Sequence, residues 1–435
     1  MIRELAAHSA WQVDRIKDHV WKIGSGVTPS GGAASYLDAG IPLLRSQNVH
    51  FDGLRLDDVA FIAEETHEEM SGSKLRARDV LLNITGASIG RCAFVPDGFG
   101  EGNVNQHVCI IRPAAKLNHK FLTYCLSAPW GQDQIFSGFT GASRQGLGQR
   151  DLGEIQVPLP PLPEQQRIAA YLDASCAAID AAVAAKRRQL ETLDELGDAV
   201  IHQAVTRGLD ARVKMRPSGI DWLPEIPDQW RPQQIKRNCE IVRGKFTHRP
   251  RNDPAFYDGE YPFVQTGDIT AARKYIRTYS QTLNELGFSV SKMFPRGTLV
   301  MSIAANIGDV AILDFEACFP DSMVGLIPGP KTDLTFLYYM MRAMKSIMLR
   351  SAVISTQLNL NNERIGANFA AFPPVREQKA IAEFLDAKEQ EIDSMKEKLN
   401  QQINTLTAYR KSLIHECVTG QRRVTEADLK VAGRA

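Results

Sequence analysis

Along residues 1–160, and again along 208–372, short apolar runs alternate with glycine, proline, asparagine and aspartate. "DVLLNI" (from Asp79) and "HVCIIRP" (from His107) predict strands in the first stretch. "GTLVMSIA" (from Gly297) and "MVGLIP" (from Met323) predict strands in the second. "KFLTYCLSA" (from Lys120) and "TFLYYMMRAMKSIML" (from Thr335) carry helical spacing, so each stretch reads as an α+β domain with a mixed sheet. After each domain the period changes. Leu385, Ile392, Leu399, Leu406 and Leu413 recur every seven residues, flanked by Ile381, Met395, Ile403 and Tyr409. The earlier helix offers Ile168, Leu172, Ile179, Val183, Leu190, Leu193 and Val200. Lys186 interrupts its stripe, and Gly197 marks either a close approach or a loosening.

Both helical segments start after prolines, which suit a first turn, with a glutamate at the positive end of the dipole. Glu164 to Thr206 and Glu377 to Thr419 each span 43 residues, roughly 64 Å of helix at ~1.5 Å per residue. A lone helix of that length would expose its apolar stripe. The expectation is therefore an antiparallel coiled coil of the two, with a globular domain at each end and a pseudo-two-fold axis. In the other arrangement each helix packs on its own domain.

The pattern is a duplication. "PLPPLPEQQRIAAYLD" (from Pro158) and "AAFPPVREQKAIAEFLD" (from Ala370) align, with Pro161 and Pro374, Glu164 and Glu377, and Asp173 and Asp386 each 213 positions apart. "RDVLLNITGASIGRCAFV" (from Arg78) matches "RGTLVMSIAANIGDVAIL" (from Arg296), and Phe121 and Tyr124 match Phe336 and Tyr339. The predicted organisation is a domain at 1–160, a helix at 161–207, a second domain at 208–372, a helix at 373–420 and a tail at 421–435. Residues 208–232, containing "SGIDWLPEIPDQW", form an ordered linker into the second domain.

Composition changes this picture little. The net charge is +1 with 44% hydrophobic residues, ordinary for a globular protein and only weakly against nucleic acid, since a near-neutral total can hide a basic face. Seven scattered cysteines form no Cys-x-x-Cys pair, which fits reduced, buried thiols in the cytoplasm. The N-terminus lacks a signal-peptide apolar run, and no stretch reaches the ~20 apolar residues of a membrane span.

No nucleotide-binding loop or methyltransferase motif is present, and the nine histidines show no metal spacing, so neither a catalytic nor a metal site is assigned. Glu377-x-Lys379 with Asp321 could be read as a nuclease cluster, and a coiled-coil scaffold without nucleic acid is the third reading. Polar loops recur at matching places. The first domain offers Thr28, Ser30, Arg45, Ser46, Gln47, Asn48, Thr85, Ser88, Asn105, Gln106, Ser143, Arg144 and Gln145. The second offers Arg243, Lys245, Thr247, Arg249, Gln265, Thr266, Asp268, Ser302, Asn306, Thr356, Gln357 and Asn359. These side-chain types read base edges and hold phosphates. Similar frameworks carrying different polar tips suit two readers of different sequences.

The duplicated proline-glutamine helices, "SGIDWLPEIPDQW" and the Ile-Gly turns at Ile89-Gly90 and Ile307-Gly308 resemble the specificity subunit of type I restriction–modification systems over nearly the whole chain. That resemblance implies two target-recognition domains, each reading half of a split, asymmetric site on double-stranded DNA. The helices would set the gap and dock two copies of a methyltransferase subunit, with motor–nuclease subunits joining in some systems. It also implies no catalysis and no cofactor on this chain, with S-adenosylmethionine bound by the methyltransferase partner and ATP and Mg by a motor–nuclease.

Overall fold

The computed structural model describes residues 11–137, 146–304, 306–354 and 358–432. They form two compact units, one of residues up to Arg187 together with Asn400 onward, the other Arg188–Leu399.

In the first unit, Val20–Ser25, Val108–Pro113, Val80–Asn83 and Cys92–Phe94 form an antiparallel sheet in that order. Ile41–Leu44 pairs with Ala60–Ile62 antiparallel and with Asn103–Val104 parallel. The helix His119–Ser127 buries Phe121, Leu122, Cys125 and Leu126 in a core shared with Val80, Leu82, Cys109 and Ile111. The second unit repeats the order with Cys239–Arg243, Met323–Pro328, Leu299–Ser302 and Val310–Leu313, and adds Tyr275–Ile276 in parallel. The long predicted helix there is two, Leu334–Ala343 and Lys345–Ser351, interrupted at Met344.

A short strand enters each unit beside the strand that leads to its long helix. Gln12–Arg15 pairs with Gln156–Leu159, and Arg231–Gln234 with Phe369–Phe372. The linker segment folds as a hairpin, Met215–Ile220 with Leu223–Pro227. Trp230 beyond it is 0% exposed and donates its indole N–H to Glu377 Oε1 at 3.0 Å.

The identical residues of the duplication fasten each helix to the domain before it. Buried Gln165 accepts from the Asn118 amide at 2.8 Å and donates to the carbonyls of Lys116 (3.0 Å) and Pro160 (2.9 Å). Gln378 makes the same three bonds, to Asp333 N (2.8 Å), Lys331 O (3.0 Å) and Pro373 O (2.8 Å). One helical turn pair later, Tyr124 donates to Asp173 at 2.8 Å and Tyr339 to Asp386 at 2.6 Å. Burial, with the carboxylates beside them, pushes both phenols up, so they remain donors.

The long helices run Leu162–Arg207 and Val375–Val418, 46 and 44 residues without a break. In the first unit Ile168, Leu172, Cys176 and Ile179 share a core with Leu413, Ile414, Cys417 and Val418. Asp180 pairs with Arg410 at 3.0 Å and Lys186 donates to Gln402 at 2.6 Å. Numbers rise on one helix as they fall on the other, so the pair is antiparallel. In the second unit Ile201, Ala204 and Val205 share a core with Ile381 and Leu385, and Lys396 pairs with Asp194. Both packing modes anticipated from sequence therefore coexist, each helix lying on its preceding domain and against its partner helix.

Several expectations need correction. Met395 and Tyr409 are 43% and 49% exposed, and Val183, Leu190, Leu193, Val200, Leu399, Ile403 and Leu406 are half-buried. Two helices cover only one side of a seam, so its middle stays partly open. A methyl group added at Gly197 would meet Ile392 Cδ1 at 3.6 Å, an ordinary contact, so that glycine marks neither a close approach nor a break in the helix. Beyond the second long helix the chain returns to the first unit. Val424 is buried in the first unit's core, Arg167 donates to its carbonyl at 2.9 Å, and Glu426–Ala432 is helical. Finally, an 18-residue window of the first long helix has mean hydropathy 1.5, enough by length and composition to cross a bilayer. Its alanines raise that figure, while its larger apolar residues lie in the protein core described above.

Candidate nucleic-acid interface

Register brings the polar loops to one edge of each unit. In the first, Cys109 faces Ser25 and Val108 faces Asn83. The Gly26 amide donates to Val108 O at 3.2 Å, Ile84 N to His107 O at 3.0 Å and Asn105 N to Leu44 O at 3.1 Å. Loops 26–30, 45–48, 84–88 and 105–107 therefore emerge together. In the second, Gly244 N donates to Met323 O at 2.9 Å, Ile303 N to Ser322 O at 3.0 Å and Val264 N to Cys318 O at 2.9 Å. These bonds gather loops 244–251, 264–268, 303–304 and 320–322. Both loop sets start at a glycine for a steric reason. A Cβ at Gly26 would stand 1.8 Å from Val104 O, and one at Gly244 2.2 Å from Pro320 O.

Thr28, Ser30, Gln47 and Gln106 are exposed at this edge, with Arg45, Ser46, Thr85 and Ser88 partly so. Arg45 lies over the Tyr36 ring, 5.5 Å from its centroid, and donates to Asp58 O at 3.1 Å. In the second unit Arg243, Lys245, Thr247, Arg249 and Asn306 are exposed, and Gln265 and Thr266 half-buried.

Four candidates are occupied in folding the loops. Asn48 accepts from Arg45 N and donates to Arg55 O, both at 2.9 Å, and Asp268 accepts from Gln265 N at 2.7 Å. These two close the same capping turn in both repeats. Asn105 accepts from His107 N at 3.1 Å, and buried Ser302 donates to Ala304 O at 2.7 Å. Ser143, Arg144, Gln145, Thr356 and Gln357 lie outside the described residues, as does the side chain of Asn359.

Two residues at the edge were not among the base-reading candidates of the sequence. His107 links Thr85 Oγ1 (2.5 Å) to Gln106 Nε2 (3.0 Å). At the equivalent turn of the second unit Asp321 gathers arginines: Arg249 at 3.2 Å, Arg251 at its other oxygen, and Arg243 on its carbonyl at 2.8 Å. Both stand one or two residues before aligned strands, which is the only trace they leave in the sequence. The nuclease reading loses its geometry here, because Asp321 is engaged by arginines and Glu377 by Trp230. Among the described residues Glu64, His67 and Glu68 bring possible metal-ligand atoms within 4.8 Å of one another, but the buried His67 already pairs with Asn103. All seven cysteines are buried, and burial pushes Cys92, Cys109, Cys239 and Cys417 up to about 12.

A family model described as the type I restriction modification DNA specificity domain matches residues 9–192 and 227–405. The type I restriction enzyme MjaVIII specificity subunit of Methanocaldococcus jannaschii is 22% identical over 95% of this chain and 93% of its own length. The HsdS subunit of Thermoanaerobacter tengcongensis shares the fold, with a TM-score of 0.55 and 17% identity over 95% of this chain and 97% of that one. A chain from a structure of type I R-M system complex assembly and conformational transition gives a TM-score of 0.73 at 16% identity, covering 94% of this chain and 97% of that one.

Proposed function

Because the chain belongs to the type I restriction–modification DNA specificity family, with two tandem specificity domains, we propose that each domain reads one half of a split DNA site. The observation that carries this reading is the pair of matched loop edges. Equivalent backbone bonds hold Gln106 and His107 in one unit and Asp321 and Ser322 in the other. The framework is shared and the chemistry at its tip differs, as two half-sites of unlike sequence require.

The unbroken long helices set the gap between half-sites in this proposal. Their partly open seam, with Leu196, Met395 and Tyr409 exposed, supports docking of two methyltransferase subunits there. The chain itself is non-catalytic, acts in the cytoplasm, and leaves S-adenosylmethionine to the methyltransferase and ATP and Mg to any motor–nuclease partner. Its net charge of +1 fits a share of the phosphate contacts falling to those partners. The test is co-expression with the cognate methyltransferase and mapping of methylated adenines. The expected outcome is a two-part motif with a fixed gap that disappears when this chain is omitted. Methylation without the chain, or at a single continuous motif, would refute the reading.

A further inference from the structure

The geometry points to Arg251 as the residue with which the second domain reads a guanine, held in reading position by Asp321; this rests on the function proposed above. Arg251 lies on the loop that leaves the sheet at Gly244. It lines a cleft of about 360 Å³ with Asn252, Gln265 and Gln281. Its side chain is half-exposed, and its guanidinium is held from one side only, by Nη2 on Asp321 Oδ1. Among the described residues Nε and Nη1 have no partner. The loop is fixed at the same point, since Tyr257 OH donates to the Arg251 carbonyl. Arg249 holds the second carboxylate oxygen at 3.2 Å and donates to the carbonyls of Phe246 and His248, both at 2.7 Å. That leaves Arg249 as a brace and Arg251 as the arginine with donors to spare.

A guanidinium kept for phosphate would gain nothing from an adjacent carboxylate, which repels the phosphate and offsets the positive charge. A carboxylate does help a base reader, because it anchors one nitrogen of the guanidinium and narrows the directions in which the remaining N–H groups point. In the major groove guanine presents two neighbouring acceptors, O6 and N7, whereas adenine sets a donor beside its acceptor. The donor-only edge of Arg251 matches the first and opposes the second. Its brace, Asp321, holds the framework position that Gln106 holds in the first domain.

The test uses the complete complex of this chain with its methyltransferase partner. Methylation rates are compared on the mapped duplex and on duplexes substituted at each base. Arg251→Ala is expected to lose roughly 5- to 150-fold of discrimination at one guanine of a single half-site, leaving every other position as selective as before. Arg251→Lys is expected not to restore it, since an ammonium cannot make the paired contact. Arg251 is half-exposed, so neither variant removes core packing. A uniform loss of rate with discrimination intact, or relaxation at a base other than guanine, would overturn the assignment while leaving split-site reading in place. If the unsubstituted complex recognises no split motif, the underlying reading fails and the assignment fails with it.

Discussion

Asp79→Ala is expected to destabilise the first unit by about 3–5 kcal/mol. The Asp79 side chain is fully buried against Arg112, with Nε at 2.7 Å from one oxygen and Nη2 at 2.8 Å from the other. It also accepts from the Arg76 amide at 2.8 Å. Alanine would leave a largely buried guanidinium with only the Lys74 carbonyl, 3.3 Å from Nη2, and the Arg76 N–H without its acceptor, and an uncompensated buried charge is the costliest of such losses. The second unit supplies the control. Ile111 pairs with Val80 as Leu326 pairs with Leu299, so Asp79 and Arg112 correspond to Thr298 and Ile327. There Thr298 turns its hydroxyl back onto Pro295 O at 2.7 Å, and no charge is buried. The double variant Asp79→Thr with Arg112→Ile imports that arrangement and should cost no more than about 1–2 kcal/mol, because replacing both members of a buried pair is far cheaper than removing one. Hydrogen exchange of strands 80–83 and 108–113 in the whole chain measures both. Equal losses for the single and double variants would contradict the comparison.

Gln378→Ala is expected to release the start of the second long helix, at about 3–5 kcal/mol. The side chain is buried and joins the helix to Asp333 N, Lys331 O and Pro373 O. Its loss orphans one donor and two acceptors, each costing about 1–3 kcal/mol when buried. Gln378→Glu has nearly the same shape and keeps the acceptor for Asp333 N, yet its carboxylate faces two carbonyl oxygens and should rescue nothing. Exchange protection of residues 375–385 reads the effect. Wild-type protection in the Glu variant would show that shape, and not the pair of donated bonds, fastens the helix.

These glutamines show why so much of the fold was legible. Residues repeated in both copies, Gln165 and Gln378, Tyr124 and Tyr339, Asp173 and Asp386, are the ones that satisfy polar groups where helix meets domain. Both copies solve that problem with the same side chains, so the duplication shows in the letters. Strand runs and heptads were legible because burial imposes their periods. The loops were not equally legible. Asn48 and Asp268 have the composition of base readers, but the same oxygens cap turns, and only the hydrogen bonds tell these uses apart. His107 and Asp321 gain their setting from strand pairing across the sheet, which no local pattern records. Periodicity marked Met395 and Tyr409 as lying on an apolar face but could not say whether one partner helix covers that face. The tail's anchor, Val424, is a single apolar residue and carries no period at all.

In the proposed function two lobes of common framework read DNA independently of each other. The most direct measurement replaces residues 1–155 with the corresponding segment of another family member of known specificity and maps the methylated adenines. One half of the motif should change to the donor's half-site, while the half read by the second domain stays as it was. A motif altered in both halves, or in neither, would contradict the account.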